Sequence, residues 1–317
     1  MIDSPYTVDI LMCVYNHEEF IAQAIEGVVS QQTNFKYRLI IGEDCSTDNT
    51  KRIVEKYLDL YSEKMLVFFH KTNIGAYENS RILFRESSSK YIALCDGDDY
   101  WTDPLKLQKQ VDFLEANPEY VLCAANATVN NLTNKFFRSI YCNFNRDRSF
   151  DQKQVLMEFY CPTLSMLFRN HLHNIPEWFH EVKSGDTFLH LILSQYGKFY
   201  YMDFIAGVYR QHNAGISNMN SQTEWFDNNI THLRKFKKII NEYNVQSLDE
   251  VIYRSQLEYI NALIKEKQYK RALGYFRELQ PIPFHIRKRY FRQVINLYIR
   301  TLLRIKNRPI PKFQHVI

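Results

Sequence analysis

Three carboxylates fall within four positions of "CDGDDYW", residues 95–101: Asp96, Asp98 and Asp99. They follow the apolar run "YIAL" and stand just before a Trp. Anions this close repel one another unless water or a cation screens them. An i, i+2 carboxylate pair in a loop suits a hard divalent ion, manganese or magnesium, that keeps waters and phosphate oxygens in its shell. Gly97 lets the turn bring its backbone close to a ligand, although a plain tight turn would want glycine equally. A D-x-D string alone is common by chance, so its meaning depends on the elements that hold it.

Those elements alternate. "YTVDILMCVY" reads as a buried strand, and Phe20, Ile21, Ala24, Ile25, Val28 and Val29 then recur at helical spacing. Asn16 with Glu19 predicts a capping-box start for that helix. "KYRLIIGED", "STDNT" and "KRIVEKYLDLY" repeat the plan as strand, turn and helix, and "MLVFFH", "AYENSRILFRES" and "KYIALCD" extend it. Asp103 and Pro104 offer an N-cap and first-turn proline to "LKLQKQVDFLEAN". The alternation predicts an α/β fold with a mostly parallel, doubly wound sheet and helices on both faces. Such sheets bind ligands at the carboxyl ends of their strands. Tyr15 and Asn16, Glu43 and Asp44, and Asp96 to Asp99 should therefore share one edge and line a cleft. Loop acids also cap helices, and Asp48 and Asp103 read that way.

Further along, "CPTLSMLFRN" reads as a strand, "SGDTFLHLILSQYG" as a turn and helix, and "KFYYMDFIAGVYRQHNAGIS" as a strand and loop. Asp186 opens the helix, where a carboxylate gains from the helix amides. From about residue 221 the spacing is helical throughout, so the expected division is an α/β domain over 1–220 and a helical region over 221–317. In the last predicted helix Lys288, Arg292, Arg300 and Arg304 follow a four-residue step opposite Ile286, Tyr290, Val294, Leu297 and Tyr298. Such a helix can lie on an anionic bilayer. Its apolar face can equally pack on the body or on a second subunit, which would make a homodimer.

Composition narrows the classes. At 317 residues, 45% apolar and 24% charged, the chain has the balance of a globular protein with a sizeable core. Six scattered cysteines without a C-x-x-C pair read as reduced thiols, and the N-terminus lacks a signal-peptide pattern, so a cytoplasmic location is expected. Net charge is +5, yet nine Lys and Arg and no Asp or Glu follow Glu278. Subtracting those nine leaves −4 for residues 1–278. A mildly acidic body argues against nucleic-acid binding.

Taken in order, "CVYNHEEFIAQAIEGVVSQ", "IIGEDCSTDNT", "NIGAYENSR" and "YIALCDGDDYWTDPLKLQKQ" resemble the nucleotide-sugar-binding half of the inverting GT-A glycosyltransferases of family 2, over residues 6 to about 130. The resemblance implies a GT-A fold and a nucleoside-diphosphate sugar donor, with UDP as the default and dTDP and GDP as alternatives. The acceptor would be a glycan or lipid-linked hydroxyl, in bacterial polysaccharide or lipopolysaccharide assembly. It implies that Asp44 accepts a hydrogen bond from the base, that Asp96 lies near ribose and metal, and that Asp98 ligates the metal and bridges to the diphosphate. Asp99, Tyr100 and Trp101 would form the floor under the sugar. Tyr15, Asn16, Glu43, Asn73, Gly75, Asn79, Arg81 and Gly97 would line the nucleotide site, with Arg81 readable as a solvated surface charge. Glu43 and Cys45 replace the usual Asp and Gly of "DDGSTD", which leaves base choice open. Asp186 stands where similar enzymes place a general base, and an ordinary N-cap fits it too. His212, in a "YRxH" pattern, would ligate the metal or contact the diphosphate, or be structural. Two other classes fit the sequence less well. A sugar-phosphate nucleotidyltransferase needs a Gly- and Lys-rich loop that "CVYNHEEF" lacks, and a non-catalytic glycan-binding or scaffold protein has no need of Asp44, Asp98 and Asp186.

Overall fold

The computed structural model describes residues 4–132, 140–171, 176–182, 185–212, 221–240, 245–279, 281–282 and 284–305. Its contacts divide the chain into two units, Met1–Glu181 with Gly185–Asn218, and Val182–Ser184 with Met219–Ile317.

In the first unit the period-2 placement of side chains builds two cores. Ile10 and Met12 of β1 (Val8–Val14), Leu39 and Ile41 of β2 (Tyr37–Glu43), and Ala93 of β4 (Tyr91–Leu94) pack with α1 (Ile21–Val29) on one face. Leu11, Ile40 and Ile92, their neighbours in sequence, pack on the other face with Leu83 of α3 (Ala76–Glu86). Burial on both faces is the state of a parallel sheet. β3 (Met65–Phe69), preceded by α2 (Thr50–Leu60), pairs in parallel with β2, and β1 pairs in parallel with both β2 and β4.

Beyond β4 the sheet becomes mixed, with both parallel and antiparallel pairs. After β5 (Tyr100–Trp101) and α4 (Lys106–Ala116) come β6 (Tyr120–Asn131), β7 (Arg148–Phe150), α5 (Gln152–Met157), β8 (Leu167–Arg169), α6 (Gly185–Leu193) and β9 (Lys198–Gln211). The order is β3-β2-β1-β4-β8-β6-β9-β5, with β7 added on β9. β8 runs antiparallel to β4 and β6, and β5 runs antiparallel to β9.

The second unit is helical: α7 (Gln222–Phe236), α8 (Val245–Lys265), α9 (Tyr269–Tyr275) and α10 (Phe284–Ile305). The helical spacing that continues from α8 is interrupted before α9. Lys267 adopts φ +62, with Lys267 N donating to Ile264 O and Gln268 N to Leu263 O, which is the closing pattern of a Schellman cap. Tyr290, Val294 and Leu297 of α10 pack with Tyr253, Leu257 and Ile260 of α8.

Two predicted helix starts move. α1 begins at Ile21 with no side-chain cap; Asn16, at φ +53, instead accepts from Thr47 N through Oδ1 at 2.8 Å. The expected capping box is replaced by a tie between the loops after β1 and β2. α4 begins at Lys106, and Asp103 caps the turn before it by accepting from Leu105 N at 2.9 Å.

Candidate active site

Residues 95–99 leave β4 and turn into β5. Gly97 N donates to Cys13 O at 3.0 Å and Asp99 N to Asp96 O at 3.1 Å, so the loop is pinned to the end of β1 and closed on itself. A Cβ at position 97 would lie 2.8 Å from His17 Nδ1 and 2.9 Å from Val14 Cγ2. Glycine is required there by this close approach, which seats His17 against the acid loop.

Asp98 lies between two imidazoles. Its Oδ2 is 3.0 Å from His212 Nε2 and 4.0 Å from His17 Nε2, and the two rings meet edge to face at 6.4 Å between centroids. Burial pushes the Asp98 carboxyl up, but the His212 hydrogen bond and the charge of both imidazoles outweigh it and hold the group below the usual carboxylate range. Its neighbours shift the other way. Burial, then the Asp98 charge, push Asp96 up to about 7, and Asp186 adds to the effect. Burial and Asp98 push Asp99 well above the ordinary value. Burial pulls His17 below its usual value despite Asp98. In both raised carboxyls burial is the first cause and repulsion by Asp98 the second.

Arg210 braces this loop and was not singled out in the sequence, nor was His17. The buried Arg210 guanidinium donates from Nη1 to Asp98 O at 2.7 Å and from Nη2 to Gln23 Oε1, and Arg210 N donates to Asp99 Oδ1 at 2.8 Å. Its Cζ sits 4.3 Å from the Tyr100 ring centroid and 5.0 Å from that of Phe20. The signal was available: Arg210 is two residues before His212 at the end of β9, on the same side, and His17 follows the end of β1, the edge already expected to hold the cleft.

The expected nucleotide residues separate into groups. Asp44 is 2% exposed, and its oxygens accept from Ile74 N at 2.7 Å and Gly75 N at 2.9 Å. Asn73 Nδ2 donates to Asp44 O at 3.3 Å. Asp44, Asn73 and Gly75 thus form one unit, with the Asp44 carboxylate committed to shaping the 73–75 loop. Glu43 is buried and accepts from Ser46 N at 2.8 Å, while its Oε2 has no hydrogen bond. Tyr15 and Asn16 stand exposed at the end of β1. Two residues are not brought to the site. Asn79 is buried, donating to Gly42 O at 2.7 Å and meeting His70 Nε2 at 3.1 Å. It braces α3 on β2, where a Cβ on Gly42 would sit 1.8 Å from Asn79 Oδ1. Arg81 is exposed and pairs with Glu78 through Nε at 2.7 Å on α3.

Trp101 also departs from expectation. It is 3% exposed, its Nε1 donates to Leu164 O at 2.7 Å, and Lys106 Nζ lies 4.1 Å from its ring centroid. The ring belongs to the core and supports the loop from behind, since only a buried position satisfies both the indole N–H and this cation–π contact. Lys106 is fully buried, donates to Gln110 Oε1 at 2.8 Å, and is pulled by burial to about 7. Asp186 is exposed in the first turn of α6 and accepts from Thr187 N at 2.7 Å.

A family profile described as Glycosyl transferase family 2 matches residues 9–175, just over half of the chain. The chain belongs to glycosyl transferase family 2. An uncharacterized protein of Mycobacterium tuberculosis is 34% identical over 214 residues, which is 66% of this chain and 60% of that relative's length. The chain thus spans about three fifths of the length of these curated relatives. In fold it is similar to S. aureus TarS residues 1–349 in complex with UDP-GlcNAc (TM-score 0.65, 16% identity, 96% of this chain and 93% of that one). It is also similar to the mannosyltransferase PcManGT of Pyrobaculum calidifontis in complex with GDP-Man and Mn2+ (TM-score 0.53, 12% identity, 97% and 89%). The mixed α/β sheet is accordingly a GT-A fold.

The family 2 loop has a donor set suited to a hard or borderline divalent ion, namely the carboxylate of Asp98 and the imidazole of His212, beside the two further carboxyls of Asp96 and Asp99. Among the described residues no group of three or more His, Cys, Asp or Glu converges as a closed cage. Magnesium and manganese sites of this open kind take the rest of their shell from waters and substrate phosphates.

Proposed function

We propose that this chain is a metal-dependent, inverting glycosyltransferase that moves a sugar from a nucleoside-diphosphate sugar to a hydroxyl of a glycan or lipid-linked acceptor in cell-surface polysaccharide synthesis. The observation that carries the proposal is the Asp98 carboxylate between His212 and His17, in a loop whose other acids, Asp96 and Asp99, are held protonation-prone by burial and by Asp98. That is the electrostatics of a site built to receive cationic charge. UDP is the first choice of nucleotide because TarS was crystallised with UDP-GlcNAc, and GDP the second because PcManGT was crystallised with GDP-Man.

When bound, the ion would be held by Asp98 and His212, and it would supply charge neutralisation to the departing diphosphate. The chain's own residues do the remainder. The 73–75 loop, held by Asp44, borders the nucleotide. Arg210 holds the backbone of Asp98 and the side chain of Asp99 in place. Asp186 takes the proton of the acceptor hydroxyl as it attacks the anomeric carbon from the face opposite the leaving group. The six cysteines are all free thiols, the usage of a reducing compartment, which supports work on the cytoplasmic side.

A thermal-shift screen of UDP-, GDP- and dTDP-sugars, each with manganese and with chelator, tests the proposal. One nucleotide should raise the melting temperature by several degrees, and only with the metal. Stabilisation by none of them, or turnover of a sugar phosphate with a nucleoside triphosphate instead, would remove the transferase reading.

A further inference from the structure

The apolar stripe that the sequence offered for membrane contact is used inside the helical unit: Tyr290, Val294 and Leu297 pack on α8, while the side chain of Ile286 lies outside the described residues. α10 nevertheless carries a second apolar stripe. Phe284 is 80% exposed, Phe291 58%, Tyr298 43% and Ile295 38%. At 100° per residue these four fall within about 60° of arc, and Arg287, Lys288 and Arg292, all exposed, flank them. The acids of α8 meet a different side of the helix, where Glu250 takes Arg289 and Tyr290 and Glu258 takes Gln293.

We propose that this face of α10 docks on an anionic lipid surface, with Phe284, Phe291 and Ile295 entering the headgroup boundary and Arg287, Lys288 and Arg292 meeting the lipid phosphates. Charge complementarity selects this occupant. No Asp or Glu follows Glu278, so the charged residues that α10 itself places beside the stripe are all cations, and large exposed aromatics with basic neighbours are the composition of an interfacial helix. No helix among the described residues is long and apolar enough to cross a membrane, so the contact would be reversible and electrostatic. The inference does not rest on the donor chemistry, because it involves other residues and a different ligand.

The test is co-sedimentation of the full chain with vesicles of phosphatidylcholine alone or with phosphatidylserine, at low and high salt. Binding should require phosphatidylserine and fall steeply with salt. Since each basic side chain near an anionic surface is worth about five-fold in partition, Arg287→Gln, Lys288→Gln and Arg292→Gln together should weaken it roughly a hundred-fold. Phe284→Ser with Phe291→Ser should weaken it at least ten-fold with an unchanged melting temperature, because both side chains are already exposed. Three results would overturn the proposal. The parent could ignore anionic vesicles at low salt. It could bind them through Lys306, Arg308 and Lys312 alone, with the α10 variants unaffected. Or Phe291→Ser could dissociate a dimer instead, making a second copy of the chain the occupant.

Discussion

Strand β1 has buried or half-buried acids near both of its ends, and they are held in different ways. Asp9, near the start, is fully buried and receives four donors: Arg38 Nε at 3.0 Å and Nη2 at 3.2 Å, Ser88 N at 2.8 Å and Ser89 N at 3.1 Å. At the other end, Asp96, Asp98 and Asp99 share one short loop, and the nearby guanidinium of Arg210 gives its Nη1 bond to the Asp98 backbone rather than to a carboxylate. An acid kept for stability comes with its own compensating donors. In the loop the Asp98 carboxylate meets His212 and Asp99 accepts from Arg210 N, against four donors for Asp9, and under the proposed function a divalent cation with a diphosphate would add to them.

The contrast can be broken in several places. The largest effect should come from Asp186→Asn, which keeps an oxygen for Thr187 N but has no basicity. Transfer should fall by about 10²- to 10⁴-fold while metal-dependent nucleotide binding and melting temperature stay as they were. Near-normal transfer would return Asp186 to a helix-capping role.

Smaller, and opposite in sign to each other, are the stability effects of neutralising an acid at either end. Asp9→Ala leaves Arg38 and two amides without their acceptor, so urea unfolding should show a loss of about 3 kcal/mol with manganese-dependent nucleotide binding intact. Asp96→Asn in metal-free protein should instead stabilise by about 1–2 kcal/mol at pH 8. The sign follows from the raised carboxyl: an acid lifted to about 7 in the fold favours folding below its unfolded value near 4, and that contribution is lost as pH rises toward 7. The gain should therefore vanish at pH 4. Equal losses for the two variants would erase the distinction between the ends.

Period-2 and helical spacing made the β1–β4 half of the sheet legible, because strands buried on both faces and amphipathic helices leave strong patterns. β7, of three residues, leaves no such pattern; β8 falls inside the stretch read as a strand, but its antiparallel insertion beside β4 depends on contacts remote in sequence. The acid loop was legible as a charge cluster, but its supports were not. Arg210 and His17 gain their roles only when β9 and the segment after β1 meet the loop. Trp101 looked like a pocket residue because it follows the acids; the buried amine of Lys106 on its ring shows why it lies in the core instead. In α10 the sequence showed that a hydrophobic face existed, but two apolar stripes share the helix, and only packing on α8 decides which remains exposed.

Calorimetric titration of UDP and GDP, with and without manganese, into the parent protein and Asp98→Ala tests the central claim most directly. The account predicts that one of these nucleotides binds the parent only with the metal. In the variant, affinity should fall by more than the 10- to 100-fold typical of losing an outer-shell partner of a metal, with the melting temperature of the metal-free protein held. Metal-dependent nucleotide binding of unchanged affinity in Asp98→Ala would contradict it, because the carboxylate between the two histidines would then not be what the cation requires.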